Sequence, residues 1–69
     1  MKTQFHYRGR EYRVTLENGL LTIERSAYFD ARRRHVPART SAFREGVAAV
    51  YRDGAWDDAA LKRLARGME

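Results

Sequence analysis

The stretch Tyr12-Arg13-Val14-Thr15-Leu16-Glu17-Asn18-Gly19-Leu20-Leu21-Thr22-Ile23-Glu24 decides the fold. Asn-Gly between two runs of alternating apolar and polar residues is the strongest short-range hairpin signal. A two-residue type I′ turn needs positive φ at both central positions, which Asn and Gly tolerate best. With Asn18 and Gly19 as that turn, Leu16 faces Leu21 and Val14 faces Ile23, while Thr15 faces Thr22 and Arg13 faces Glu24. One face is then apolar, and the other pairs like hydroxyls and opposite charges; both are favourable cross-strand combinations. A slip of one residue would mix the two faces.

Working outward toward Met1, Thr3 to Tyr7 reads as a first strand with Phe5 and Tyr7 on one side. Arg8-Gly9 supplies a second turn, with a type II turn or a small bulge as alternatives to type I′ because Arg is a poor first residue there. A two-residue turn sets Phe5 against Tyr12 and His6 against Glu11, so Phe5 and Tyr12 join the apolar side of the hairpin. Both turns place the core on the same side, which predicts a three-stranded antiparallel meander.

In the other direction, the third strand is expected to run past Ile23 toward Tyr28 or Phe29. Arg25 falls on the apolar face opposite Tyr12, so a bulge or an early strand end is expected there. Asp30 to Arg39 is the least hydrophobic stretch and contains the only proline, Pro37; it reads as a loop with at most a short strand. Thr40 or Ser41 is then expected to cap a helix running to about Arg52, its apolar stripe formed by Phe43, Val47 and Val50, with Asp53-Gly54 ending it. A second helix is expected from Asp57, with Trp56 as a staple on Leu61 and an apolar side of Leu61, Leu64, Ala65 and Met68. Strands followed by helices give an α+β class: a three-stranded antiparallel β-meander covered on one face by two C-terminal helices, in one small domain spanning 1–69.

The totals bound the function. A chain of 69 residues without Cys has neither a disulfide framework nor a thiolate metal site, so its stability comes from the core, a partner or a second copy as a homodimer. No run of apolar residues is long enough for a transmembrane helix, and Met1-Lys2-Thr3-Gln4-Phe5 lacks the apolar block of a signal peptide; a cytoplasmic location is the expectation. The formal net charge is +5, and arginine dominates the basic residues. Guanidinium groups bind phosphate and carboxylate in a bidentate fork, although GC-rich coding gives the same excess.

His6 and His35 are not at metal-ligand spacing, and no nucleophile motif or P-loop is present, so neither a cofactor nor a metal is expected and the chain reads as a non-enzyme. His6 opposite Glu11 has the form of an acid–base pair but falls on an open sheet face, where a surface ion pair is expected. The strongest functional hint is the basic run Arg32, Arg33, Arg34 and His35, followed by Arg39 and by Arg44 on the expected first helical turn. Such a run neutralises phosphates, and the neighbouring Tyr28-Phe29 can stack on a base or anchor a protein interface. A solvated loop kept polar for solubility has the same composition.

In its order of elements, the hairpin at Asn18-Gly19 followed by helices over 40–52 and 57–66, the chain resembles the small anti-CRISPR proteins made by bacterial phages. That resemblance implies a short, non-enzymatic inhibitor docking on a nucleic-acid-handling complex; it carries no residue motif. Tyr7-Arg8-Gly9 and the segment Ala48-Ala49-Val50-Tyr51 are similar to AP2-type and integrase arm-binding domains, which lay a three-stranded sheet in the major groove; the tryptophans of that family are absent. The two resemblances imply, respectively, a protein or nucleoprotein partner with an acidic or phosphate-bearing surface, and direct DNA or RNA binding. Tyr28, Phe29, Arg32, Arg33, Arg34, His35, Arg39 and Arg44 are the expected partner-binding residues in both.

Overall fold

The computed structural model describes residues 1–69. β1 (Lys2–Tyr7), β2 (Arg10–Glu17) and β3 (Leu20–Arg25) form the expected antiparallel meander. Its register is the one the two turns dictate: Val14 pairs with Ile23, Leu16 with Leu21, Phe5 with Tyr12 and His6 with Glu11. Both turns are type I′, with φ of 51° and 74° at Asn18-Gly19 and 54° and 74° at Arg8-Gly9. Arg8 thus holds a left-handed conformation that costs a side-chain-bearing residue about 1 kcal/mol or more.

β3 ends at Arg25. The chain then leaves the sheet as a separate small hairpin, β4 (Tyr28–Phe29) and β5 (His35–Val36), and returns as β6 (Arg39–Phe43). β6 pairs with β3, placing Phe43 opposite Leu21 and Arg39 opposite Arg25, so the main sheet has four strands in the order β1-β2-β3-β6. The expected helix from Thr40 to Arg52 is therefore corrected. Its first half is strand, because β3 would otherwise present a long unpaired edge and Arg39, Ser41 and Phe43 alternate as a strand requires. Gly46 adopts φ 74° and breaks any helix that began earlier. What remains is one turn, α1 (Val47–Val50), with Gly46 at its N-cap.

Asp53-Gly54 also differs from expectation. It is no helix stop but the type I′ turn, φ 54° and 78°, of a third hairpin formed by β7 (Tyr51–Arg52) and β8 (Ala55–Trp56). The edge of the Trp56 ring meets the Tyr51 ring across this hairpin at 5.1 Å. α2 (Asp58–Arg66) follows as expected, capped by Asp57, whose Oδ1 accepts the Ala60 N–H at 3.1 Å. The backbone N–H of Ala60, and then the Arg52 guanidinium, hold the Asp57 carboxyl below its ordinary value.

One face of the sheet carries the core. Phe5, Tyr12, Val14, Leu16, Leu21 and Ile23 are buried beneath Val50, Ala60, Leu61, Ala65 and Met68. The Phe5 and Tyr12 rings stack in parallel at 5.0 Å. Of the expected core positions, Phe43 and Val47 are only half-buried, since the long helix that was to press them onto the sheet does not form, and Leu64 on α2 is half-buried as well. The other face is uncovered and polar; its Arg13–Glu24 pair, 2.7 Å long, lies in solvent and contributes little. No helix is long and apolar enough to cross a membrane.

Ile23 lies at the centre of the sheet, fully buried. Ile23→Ala should lower the unfolding free energy by about 2–5 kcal/mol, read from the urea midpoint at unchanged slope. A loss below about 1 kcal/mol would contradict this core.

Candidate functional site: an arginine-tipped hairpin and the cation cluster at its base

The basic run that reads as a loop is an ordered hairpin. Tyr28 pairs with Val36 and Phe29 with His35, and the connection is Asp30-Ala31-Arg32-Arg33-Arg34. The Arg33 N–H donates to the Asp30 carbonyl at 2.8 Å, and the Asp30 N–H donates to the Arg34 carbonyl at 3.0 Å. Arg33 sits between these bonds with φ 61°. This is a type I turn closed by a left-handed residue, a position that ordinarily belongs to Gly or Asn.

Asp30 holds the turn together. Its Oδ1 accepts the N–H groups of Arg32 (2.8 Å) and Arg34 (2.9 Å), and its Oδ2 accepts the Arg34 Nε–H at 3.0 Å. The Arg34 backbone N–H, then the Arg32 N–H and the Arg34 guanidinium, hold the Asp30 carboxyl below its ordinary value. Two short strands provide no core of their own, so these local bonds carry the hairpin's order.

The expected site residues therefore divide. Phe29, Arg32, Arg33, Arg34 and His35 share the hairpin. Phe29 is 70% exposed and meets only the edge of the His35 ring, at 5.6 Å. Arg32 and Arg33 have no carboxylate within ion-pair distance, whereas Arg34 is engaged by Asp30. Tyr28 is not a free anchor: two guanidinium groups pack on its ring, Arg10 at 4.3 Å and Arg25 at 5.2 Å from the centroid. Arg39 is turned toward the core side and donates to the Met68 carbonyl at 2.9 Å. Arg44 lies in the bend after β6, exposed and outside any helix.

At the hairpin's base is a cation cluster that the sequence reading missed as a group. Arg8 and Arg10 donate to the two oxygens of Glu69, at 3.0 and 2.6 Å. Arg25 is 6% exposed; its one hydrogen bond goes from Nη2 to the Pro37 carbonyl at 2.7 Å, and its Nε has no partner. The Tyr12 hydroxyl, fully buried, is also without a partner. Burial, and next the charge of Glu69, push the Tyr12 phenol above its ordinary value, against the opposing influence of Arg10 and Arg25. The available signal was the pairing of Arg25 with Tyr12 on the apolar face; the approach of Glu69 to Arg8 and Arg10 spans the whole chain and leaves no local trace.

No three His, Asp or Glu side chains stand together in a metal-binding group. No family model, curated protein or solved structure matches the chain.

Because the Asp30 carboxyl is depressed in the folded hairpin, its contribution to order is complete above the unfolded carboxylate value and is lost as pH falls through the folded one. Acidification below about pH 4 should move the Arg32 and Arg34 amide resonances toward coil positions while core amides hold. Asp30→Ala should show that shifted state already at neutral pH; native Arg32 and Arg34 resonances in that variant would contradict the role given to Asp30.

Proposed function

We propose that this chain is a small non-enzymatic binding protein that docks its β4–β5 hairpin on a nucleic-acid-handling complex, in the manner of a phage-encoded inhibitor. One observation carries the reading: a projecting hairpin presents an exposed phenylalanine beside Arg32 and Arg33, two arginines without counter-ions. An ordered aromatic next to free guanidinium groups is the composition of an interface anchor. The left-handed conformation of Arg33 adds weight. Gly would relieve the strain, so the arginine side chain is retained at a structural cost, which points to use outside the fold. The surface it fits is acidic or phosphate-bearing.

Direct binding of DNA or RNA is the second reading, and the cation cluster favours it. Arg8, Arg10 and Arg39 add positive charge at the hairpin's base to that of its tip, which a phosphate backbone lying along the hairpin would meet.

A nuclease assay with a panel of purified CRISPR effector complexes separates the two. Docking predicts inhibition at near-stoichiometric protein and its loss in Arg33→Glu, where like charge would meet an acidic surface. Naked DNA should bind weakly and without sequence preference. No inhibition, together with sub-micromolar binding of naked nucleic acid, assigns the second reading; neither activity overturns both.

Arg33→Gly separates fold from function. It should leave thermal stability unchanged or raise it by up to about 1 kcal/mol, since relief of the left-handed strain offsets the entropy of Gly. Under either reading it should weaken binding. If binding is salt-dependent, replacing Arg32 and Arg33 with Ala should flatten the slope of log K against log salt by roughly two units, one per lost phosphate contact. An unchanged slope would remove the hairpin tip from the interface.

A further inference from the structure

We propose that Arg8 and Arg10 form a phosphate-type oxyanion site in which the Glu69 carboxylate is a displaceable internal stand-in. The inference concerns the base of the hairpin and stands apart from whatever the hairpin tip docks on.

Glu69 shows where an anion goes. Its two oxygens are each held by a different guanidinium, Arg10 at 2.6 Å and Arg8 at 3.0 Å. Arg8 belongs to the β1–β2 turn and Arg10 opens β2, so the two grip from adjacent positions on a rigid hairpin end. Arg8, like Arg33, is an arginine in a left-handed turn position that Asn fills with less strain.

The groups around that carboxylate ask for more than it supplies. Arg25 is buried with no carboxylate in ion-pair range, and its Nε–H is unsatisfied; the buried Tyr12 hydroxyl has only the nearby Arg10 guanidinium, outside good hydrogen-bond geometry. A buried guanidinium whose donors are not all met is costly unless an anion arrives. Tyr12 and Arg25 are cross-strand partners, and the Tyr12 phenol, raised first by burial, also feels Glu69. Arg39 also lacks a carboxylate and reaches the carbonyl of Met68, next to Glu69. Arg8 and Arg10 thus share the single Glu69 side chain, while Arg25 and Arg39 are held by the Pro37 and Met68 carbonyls with no carboxylate of their own.

The geometry is set before any ligand binds. The Tyr28 ring lies against both Arg10, at 4.3 Å, and Arg25, at 5.2 Å, and the Pro37 carbonyl accepts from Arg25. A phosphate group suits this arrangement better than a carboxylate. It brings more acceptor oxygens and more charge, and guanidinium forks match its geometry. The Glu69 side chain is a quarter exposed, so it can swing out to solvent, at a cost that an incoming anion must meet. Two sources supply the same chemistry: free phosphate, and a phosphate of a nucleic acid.

Calorimetric titration at low ionic strength tests the site with inorganic phosphate as probe, against sodium chloride at matched ionic strength. Wild-type protein should bind phosphate in preference to chloride. Glu69→Gln, which removes the internal competitor's charge, should bind it roughly tenfold more tightly. Arg10→Gln, and independently Arg8→Gln, should weaken it at least as much, and a folded far-ultraviolet spectrum keeps each variant interpretable. Amide shifts on titration should centre on residues 8–12 and 25–28, not on 31–34. A parallel titration with a 5′-phosphorylated and a 5′-hydroxyl dinucleotide assigns the source. Preference for the first indicates a terminal phosphate, equal binding a backbone phosphodiester, and no binding of either alongside binding of inorganic phosphate indicates the free ion. Equal responses to phosphate and chloride, no tightening in Glu69→Gln, or shifts confined to 31–34 would overturn the site, and none of these results decides what the hairpin tip docks on.

Discussion

The pairing of Tyr12 with Arg25 is the constraint on which the rest of the structure depends. The Asn18-Gly19 turn sets the β2–β3 register, and that register puts Val14, Leu16, Leu21 and Ile23 on one face. Because side chains alternate with a strict period of two, the same register also puts Arg25 on that face. A guanidinium at the edge of a small core has to be held. Here the Pro37 carbonyl and the Tyr28 ring hold it, and both lie on the excursion between β3 and β6. The excursion is thereby tied to the sheet at its base, while its tip, from Phe29 to His35, stands clear of the core.

The first half of the fold was legible because local chemistry determines it. Asn-Gly and Arg-Gly force tight turns, and alternation does the rest; the break in the apolar pattern at Arg25 left a bulge or an early strand end open, and β3 ends there instead of running on to Tyr28 or Phe29. The second half was misread for a physical reason. Phe43, Val47 and Val50 match a helical stripe, yet the open edge of β3 offers residues 39–43 a ladder of backbone hydrogen bonds that a lone helix cannot offset, and this is a tertiary effect. Asp53-Gly54 carries the same turn signal as Asn18-Gly19; the helix expected before it concealed a hairpin only two residues deep on each side. Asp57 was legible as a cap because the reading needs only the side chain and the next few N–H groups.

The candidate site followed the same division. The basic run was visible as composition, but its order was not: Asp30, which looks like a lone acid before a charged tract, accepts three hydrogen bonds and shapes the turn. Tyr28 and Phe29 are adjacent in sequence and opposite in role, because consecutive strand residues point to opposite sides; one ring is packed against arginines and the other is bare. In a chain this small, excess positive charge is not confined to the surface. It extends from the tip arginines, which have no ion-pair partner, to a base where Arg25 is buried with only the Pro37 carbonyl as acceptor.

The measurement closest to the central claim is the state of the Arg25 side chain in solution. If the register buries it against Tyr28, its Nε–H should give a resolved NMR resonance, shifted upfield by the ring and slow to exchange with water relative to those of Arg32 and Arg33. An Arg25 Nε–H that exchanges as fast as those of the hairpin tip would contradict the account, because the guanidinium would then lie in solvent and the base of the hairpin would have no buried cation.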